Sequence, residues 1–189
     1  EHLRLLLHGH SRGLAQPVGA VVINPGEAAN GMARLQELGC RIYDSVERMW
    51  EAESGEVDLC MIPSAIGTHY RFSRLAIENG SHVFLEKPVC GTIQEAHDLV
   101  RRAEAAGKEI CIGFQDLYSR QVQEIRKRIL GGEFGRVLRV RAWGSWPRPK
   151  NYYTRNGWAG GLRDAEGWVL DSPVNNAMSH FLMLMLYWA

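Results

Sequence analysis

The sequence predicts an α/β fold in which a doubly wound parallel sheet is followed by the start of a second domain. Short apolar, β-branched runs alternate with helical patterns over the first 115 residues, which is typical of βαβ units with helices on both faces of the sheet. The texture then changes to one strand with a polar face and a long loop rich in Gly, Pro and aromatic residues. We therefore expect two domains, residues 1–115 and 116–189.

Composition and charge narrow the class of protein. The 189 residues are 46% hydrophobic and 23% charged, with a formal net charge of +1. These values are typical of a globular chain and give no general electrostatic basis for binding nucleic acid. The first residues lack the basic start and apolar core of a signal peptide, and the apolar run at residues 181–189 is too short to span a membrane. We expect a cytoplasmic protein with no membrane partner.

The four cysteines are Cys40, Cys60, Cys90 and Cys111. No two of them form a CxxC pair, and three lie in apolar, strand-like runs, where a buried free thiol is the usual arrangement. We expect neither a disulfide framework nor a metal site.

The predicted elements follow from periodicity and from turn residues. Strands are expected at residues 18–23, 41–43, 57–62, 82–85, 109–114 and 136–143. Helices are expected at residues 1–8, 27–38, 46–52, 68–78, 92–106, 121–130 and 174–189. Thr92 and Glu95 form the pattern of a capping box at one helix start, and Gly80 and Gly107 follow two helix ends.

A doubly wound sheet normally begins with a central strand and a glycine-rich phosphate turn. In this sequence the first element is a helix, and no G-x-G-x-x-G precedes the strand at residues 18–23. We therefore expect a gap in the sheet where the first strand belongs. We also expect the chain to be incomplete at both ends.

The tripeptide Glu86-Lys87-Pro88 directly follows a predicted parallel strand. Ligands of open α/β sheets bind at the carboxyl ends of the strands. An ammonium there can polarise a substrate hydroxyl and stabilise a developing alkoxide. The alternative is an exposed lysine in an ordinary turn. Proline fixes the local backbone and allows a cis peptide bond.

The wider context resembles the Gfo/Idh/MocA family of oxidoreductases, which includes glucose–fructose oxidoreductase and inositol dehydrogenase. The resemblance rests on VDLCMIPS, then Thr68-His69, then AIENGSHVFLEKP, and further on GFQ at residues 113–115 and LGGEFGRVLRVRAWG at residues 130–144. It implies a Rossmann domain followed by an α/β domain with a large, open, mostly antiparallel sheet.

The resemblance also implies a catalytic lysine in EKP, which is Lys87, and a histidine near the start of a helix in the second domain. Members commonly show Asp-x-x-x-His there. This chain reads DSPVNNAMSH, so His180 fits the histidine, and Asn176 replaces the aspartate. An alternative register pairs Asp171 with Asn175 and loses the histidine. A histidine suits the role because it titrates near neutral pH and can accept the hydroxyl proton. The plainer alternative is that His180 is a core histidine.

The resemblance implies NAD or NADP as the cofactor, with a weak preference for NAD. Asn24 stands where members often carry an acidic residue for the adenosine ribose, and no arginine follows to hold a 2′-phosphate. The expected cofactor-binding residues lie at strand ends. They are Asn24, Pro63, Ser64, Thr68, His69, Glu86, Lys87, Pro88 and Gln115. His69 has a second interpretation, in which it caps or packs within its own helix.

The long loop offers aromatic faces and cations that suit a sugar. Tyr153, Arg155 and Trp158 are expected to contact substrate together with Lys87, Asn176 and His180. Packing against a neighbouring subunit explains the aromatic residues equally well. The resemblance includes an Arg-Phe pair after GFQ, which this chain replaces with Leu117-Tyr118.

These observations predict hydride transfer between NAD or NADP and a hydroxyl carbon of a sugar, cyclitol or sugar-like acid, by a homo-oligomer. Two alternatives remain open. One is an NAD-using glycosidase of the same family, and the other is a non-catalytic regulator that binds dinucleotide.

Overall fold

The structure is a computed structural model that describes residues 2–23 and 25–189. Its strands are β1 (Gly19–Val21), β2 (Arg41–Tyr43), β3 (Leu59–Ile62), β4 (His82–Leu85) and β5 (Ile110–Ile112). Its helices are α1 (His2–Ser11), α2 (Pro25–Glu37), α3 (Val46–Glu53), α4 (Ile66–Glu78), α5 (Ile93–Ala106), α6 (Arg120–Leu130), α7 (Lys150–Thr154) and α8 (Ser179–Trp188). A 3₁₀ helix at Gln115–Tyr118 lies between β5 and α6. The alternation of strands and helices confirms the predicted α/β class.

The strands form two separate sheets. β1 pairs in parallel with β2, with Gly19 opposite Arg41 and Val21 opposite Tyr43. β3, β4 and β5 form the second sheet in that order. Within the described part of the chain, β1 and β3 are not hydrogen-bonded neighbours, which is consistent with the gap that the sequence predicts.

Sequence signals at helix ends are confirmed in detail. At the start of α5 the Thr92 N–H donates to Glu95 at 3.0 Å, and the Glu95 N–H donates to the Thr92 hydroxyl at 3.3 Å. This is the predicted capping box, which satisfies two N–H groups that a helix start leaves without partners. Gly80 follows α4 with φ +82° and Gly107 follows α5 with φ +63°, the left-handed conformation that favours glycine after a helix.

The chain divides into two compact units. The first comprises the described residues of 1–63, 71–84 and 99–110, and the second comprises 64–70, 85–98 and 111–189. In the first unit Val83 and Leu99 are buried, and the Glu53 carboxylate is fully buried, where it accepts hydrogen bonds from Arg41 and from the Tyr43 hydroxyl. In the second unit Leu85 and Val169 are fully buried. The four cysteines are free.

The strand predicted in the last third of the chain is not formed. Residues 136–143 form no strand, because no described segment pairs with them. Among the described residues of this region one isolated bridge occurs, between Arg163 and Trp168. A single strand without a neighbour leaves its backbone groups unpaired and gains little by being extended. The open antiparallel sheet expected from the resemblance is therefore not seen in the described residues.

The final helix is shorter than predicted. Residues 173–178 form turns in which the Asn176 N–H donates to the Ser172 carbonyl and the Met178 N–H to the Pro173 carbonyl. These turns precede α8, which begins at Ser179. Leu182 and Leu186 are 44% and 66% exposed, so these two apolar side chains of α8 lie outside the core.

Candidate active site

Lys87 is the second residue after β4, and the Lys87–Pro88 peptide bond is cis. The Lys87 ammonium donates to the side-chain oxygen of Asn176 and to the Asn176 main-chain carbonyl, each at 3.0 Å. These bonds use two of its three hydrogens, which leaves one for a ligand. Burial lowers the pKa of Lys87, and Glu86 and Asp171 partly oppose that effect. The lysine is therefore a tethered cation and not an ordinary exposed side chain.

His180 lies in the first turn of α8, and its side chain is 14% exposed. The ring meets the Phe114 ring edge-on, with centroids 5.8 Å apart. Nδ1 has no hydrogen-bond partner among the described residues, and a carboxylate oxygen of Asp116 lies 3.6 Å away, beyond hydrogen-bonding distance. Burial lowers the pKa of His180, and the Lys87 charge lowers it further, while Asp116 and Glu86 oppose both effects. His180 is therefore neutral near pH 7 and can accept a proton.

Helix α6 anchors the helix that carries His180. The Tyr187 hydroxyl donates to the Gln123 side chain at 3.0 Å, and the Trp188 indole donates to the Val122 carbonyl at 3.4 Å. The Arg126 guanidinium lies 4.1 Å from the centre of the Tyr187 ring, within cation–π range. These contacts hold the far end of α8 and thereby limit how far its first turn can move.

Lys87 and His180 line the same open pocket, which has a volume of about 260 Å³. The other lining residues are Trp146, Arg148, Asn176 and Ala177. A second pocket of about 280 Å³ shares these four and is also lined by Gly144, Tyr152, Tyr153, Gly160, Asp171, Ser172, Pro173 and Met178. Lys87 and His180 belong to one compact unit, although 93 positions separate them in the sequence (180 minus 87).

Asn176 links Lys87 to Tyr152, a residue of the long loop rich in aromatic side chains. Its amide nitrogen donates to the Tyr152 hydroxyl at 3.1 Å while its amide oxygen accepts from Lys87. Because Lys87 can only donate, the two bonds together define which way the amide faces. Asn176 falls within the helix predicted at residues 174–189, but in the structure it lies in the turn that precedes α8. It still lines the same pocket as His180.

The alternative register, Asp171 with Asn175, has a different geometry. The Asn175 amide donates to the Val169 and Leu170 carbonyls at 3.4 and 3.3 Å, and Asn175 lines neither pocket. One Asp171 oxygen accepts from the Gly160 N–H at 2.7 Å, and the other is buried with no hydrogen-bond partner among the described residues. Asp171 thus contributes a carboxylate to the second pocket, whereas Asn175 supports the backbone.

Three expected cofactor residues follow β3. The Ser64 and Thr68 hydroxyls bond each other at 2.6 Å, and Thr68 also donates to the Ala65 carbonyl at 2.7 Å. His69 is buried, with its ring nitrogens 2.8 Å from the Pro88 carbonyl and 3.1 Å from the Ser64 carbonyl. Burial lowers the pKa of His69. With both nitrogens facing backbone carbonyls, this arrangement favours the alternative in which His69 packs internally.

The remaining expected cofactor residues have different environments. Pro63 and Gln115 are exposed, and the Glu86 carboxylate accepts from the Lys87 N–H at 3.2 Å. Pro88 contributes its carbonyl to His69. Asn24 lies outside the described residues.

Of the three loop residues expected to contact substrate, Tyr153 alone lines a pocket, the second one. Arg155 lies 4.1 Å from the centre of the Tyr152 ring and 5.4 Å from that of Trp158. Arg155 and Trp158 line neither pocket.

Sequence reasoning missed two residues of the site. Asp116 approaches His180, and Tyr152 holds the Asn176 amide. Asp116 directly follows the GFQ that ends β5, so the rule that ligands bind at carboxyl ends of strands would have identified it. No sequence signal distinguishes Tyr152 from the neighbouring Tyr153.

The loop that carries Asp171 is fixed by close backbone contacts. The Asp164 carboxylate accepts from the Glu166 and Gly167 N–H groups, each at 2.9 Å. A Cβ atom on Gly91 would collide with the Trp168 carbonyl oxygen. Glycine at position 91 thus permits the loop to pack where it does.

The described residues contain no helix long and apolar enough to cross a membrane and no cluster of three or more side chains suited to holding a metal ion.

One observation about the described residues fits the nicotinamide end of a dinucleotide. A tethered ammonium and a neutral imidazole face an open pocket directly after the carboxyl end of β4, where dinucleotides bind in such sheets.

A family model described as an oxidoreductase family with an NAD-binding Rossmann fold, Gfo/Idh/MocA, matches residues 1–114. D-glucoside 3-dehydrogenase of Escherichia coli (strain K12) is 26% identical over 118 residues, which is 62% of this chain and 33% of that protein. The chain thus spans about a third of the length of this curated relative.

Two solved structures are similar to this chain. The WlbA dehydrogenase of Bordetella pertussis, in complex with NADH and UDP-GlcNAcA, has a TM-score of 0.80 at 22% identity, over 100% of this chain and 51% of that one. An inositol dehydrogenase homologue of Azotobacter vinelandii, complexed with NADH and myo-inositol, has a TM-score of 0.57 at 28% identity, over 64% of this chain and 33% of that one. The first shows a shared fold.

Proposed function

The chain belongs to the Gfo/Idh/MocA oxidoreductases, a family with an NAD-binding Rossmann fold, and on that premise we propose that the protein carrying it transfers a hydride between NAD and a hydroxyl carbon of a sugar, cyclitol or sugar-like acid. The observation that carries the proposal is the shared pocket of Lys87 and His180. One is a cation and the other a neutral base, and alcohol oxidation needs both kinds of group.

The two side chains have separate roles in this proposal. Lys87 donates its remaining ammonium hydrogen to the substrate hydroxyl and stabilises the negative charge that develops on that oxygen. His180 accepts the hydroxyl proton, because burial and the Lys87 charge keep its imidazole neutral near pH 7. Asp116, 3.6 Å from Nδ1, stabilises the imidazolium that results. In the reverse direction His180 returns the proton.

When bound, the nicotinamide ring supplies or accepts the hydride. We propose that five residues of this chain face the nicotinamide side. Two follow β3, Ser64 and Thr68, and three follow β4, Glu86, Lys87 and Pro88. We extend the proposal to NAD over NADP, because no arginine directly follows residue 24 to hold a 2′-phosphate.

The relatives support this class of substrate. The names of the matched proteins refer to a glucoside and to myo-inositol, both of which carry secondary hydroxyl groups on a ring. The pocket of this chain has matching chemistry, since Trp146 offers an aromatic face and Arg148 and Asn176 offer hydrogen-bond donors.

The test is a titration of the full-length protein with NAD and with NADP by calorimetry, followed by NADH absorbance with a panel of sugars and cyclitols. We expect binding of NAD and a net rise in NADH with at least one polyol. Retained cofactor with glycoside cleavage and no net absorbance change would instead favour the glycosidase alternative. Dinucleotide binding without any turnover would favour the regulator, and absence of binding would contradict the proposal altogether.

A further inference from the structure

The wall of the pocket that holds Lys87 and His180 is positively charged. Two of its six lining residues, Lys87 and Arg148, are cations, and none is a carboxylate. Burial is the main cause of the lowered pKa of Lys87, the Arg148 charge adds to it, and the Glu86 and Asp171 charges oppose it. An anion placed between Lys87 and Arg148 would relieve their repulsion.

Arg148 has no ion-pair partner among the described residues. Its guanidinium lies 4.6 Å from the centre of the Tyr152 ring, and Tyr152 in turn accepts from Asn176. Stacking on an aromatic ring orients a guanidinium while its N–H groups, which lie in its own plane, stay available. A guanidinium oriented in this way is suited to bidentate binding of a carboxylate.

The adjoining pocket contains a cation and a carboxylate, Arg148 and Asp171. One oxygen of the carboxylate is buried without a hydrogen-bond partner among the described residues. The Asp171 carboxylate favours hydroxyl donors in this pocket and disfavours a second anion. The two pockets share Arg148 and Asn176, so a ligand spanning them would meet Lys87 at one end and Asp171 at the other, with Arg148 lining both pockets.

Resting on the function proposed above, we propose that the substrate is a sugar acid and that Arg148 determines this specificity by binding its carboxylate. The hydroxyl carbon that reacts then lies at Lys87 and His180, and neutral hydroxyls point toward Asp171. A neutral polyol would leave Arg148 without its ligand and would gain nothing from the second cation.

The experiment compares uronic acids with their neutral counterparts, glucuronate against glucose and galacturonate against galactose, using the full-length protein and NAD. The readouts are kcat/KM from NADH absorbance and, independently of turnover, calorimetric binding of each uronate to the protein–NAD complex. We expect at least one uronate to exceed its neutral partner by about tenfold or more in kcat/KM, as a charge-assisted hydrogen-bonded contact allows.

Arg148→Gln tests the residue. We expect the ratio of kcat/KM for the uronate to that for the neutral sugar to fall by roughly 10–100-fold, mainly through KM, with matching loss of uronate binding. Arg163→Gln is the matched control, because Arg163 is also exposed and stacked on an aromatic ring, 4.5 Å from that of Trp168, yet lines neither pocket. Its ratio should stay at the wild-type value.

The outcomes separate this inference from the proposed function. If neutral sugars react as well as uronates, or if Arg148→Gln lowers both equally, the specificity inference is overturned and dehydrogenation stands. If none of the four sugars is oxidised and no uronate binds to the complex, the sugar-acid inference is overturned. If NAD itself does not bind, the proposed function is overturned with it.

Discussion

The Lys87 ammonium is 3.0 Å from the Asn176 amide oxygen, and the amide nitrogen of Asn176 is 3.1 Å from the Tyr152 hydroxyl. A cation after a Rossmann strand is thus tied to a loop residue 65 positions further along (152 minus 87). Asn176 bridges Lys87 and Tyr152. It accepts from the lysine on one side and donates to the tyrosine on the other.

Asn176→Ala removes the side-chain bond to Lys87 and leaves the main-chain bond. We expect kcat/KM to fall by roughly tenfold, the equivalent of about 1.4 kcal/mol for one charge-assisted bond. Asn176→Asp keeps an acceptor for the ammonium and should restore most of the rate. Asn175→Ala is the control, since the Asn175 side chain donates to two backbone carbonyls and lines neither pocket. Equal loss of kcat/KM in the two alanine variants would contradict a positioning role for Asn176.

The pH profile of the forward reaction should report His180. Its pKa lies below the ordinary histidine value, so the neutral base predominates at pH 7, and kcat/KM for oxidation should fall only as the pH drops through that lowered pKa. His180→Gln should lower turnover by roughly 10²–10⁴-fold and abolish this acid limb. His97→Gln, on the exposed face of α5, should change neither. An unaltered acid limb in His180→Gln would assign the base to another group.

Asp116 tests the electrostatics of the same imidazole. The Asp116 charge raises the pKa of His180 against the larger effects of burial and Lys87. Asp116→Asn removes that contribution, so the pKa of His180 should fall further and the acid limb should move to lower pH. The measurement is the pH dependence of kcat/KM at constant ionic strength. A shift toward higher pH would show that Asp116 does not act on His180 as a charge.

Gly91 is expected to be sensitive because its missing side chain gives room to the loop after Trp158. In Gly91→Ala the new Cβ collides with the Trp168 carbonyl oxygen, which is backbone and cannot rotate away. We expect a loss of about 1–3 kcal/mol in the free energy of unfolding, the usual cost of overpacking. Gly157→Ala, where an added Cβ meets nothing within 4 Å and φ is not positive, should change stability by less than about 0.5 kcal/mol. Denaturant unfolding of both variants measures the difference, and equal stabilities would refute the packing argument.

Most of the first 115 residues could be read from the sequence, because the elements there carry local signals. Apolar β-branched runs locate the strands, and the capping box at Thr92 and the glycines after two helices are short-range patterns. The place of Lys87 follows from one rule about strand ends. The last third was predicted less well, since the structure has no strand at residues 136–143 and begins α8 five residues later than the apolar pattern suggests. Strand formation depends on a partner strand, and a single sequence does not state whether one is present.

The sequence by itself determined the α/β class, the lysine at the end of β4 and the histidine at the start of an apolar helix, because each depends on periodicity or on a short motif. Only the tertiary structure decided that Lys87, Asn176 and His180 line one pocket, that Asp116 and Tyr152 support them, and that Asn175 does not. These relationships join residues far apart in the chain. Packing and hydrogen bonding bring such residues together, and local sequence patterns carry no record of distances across the fold.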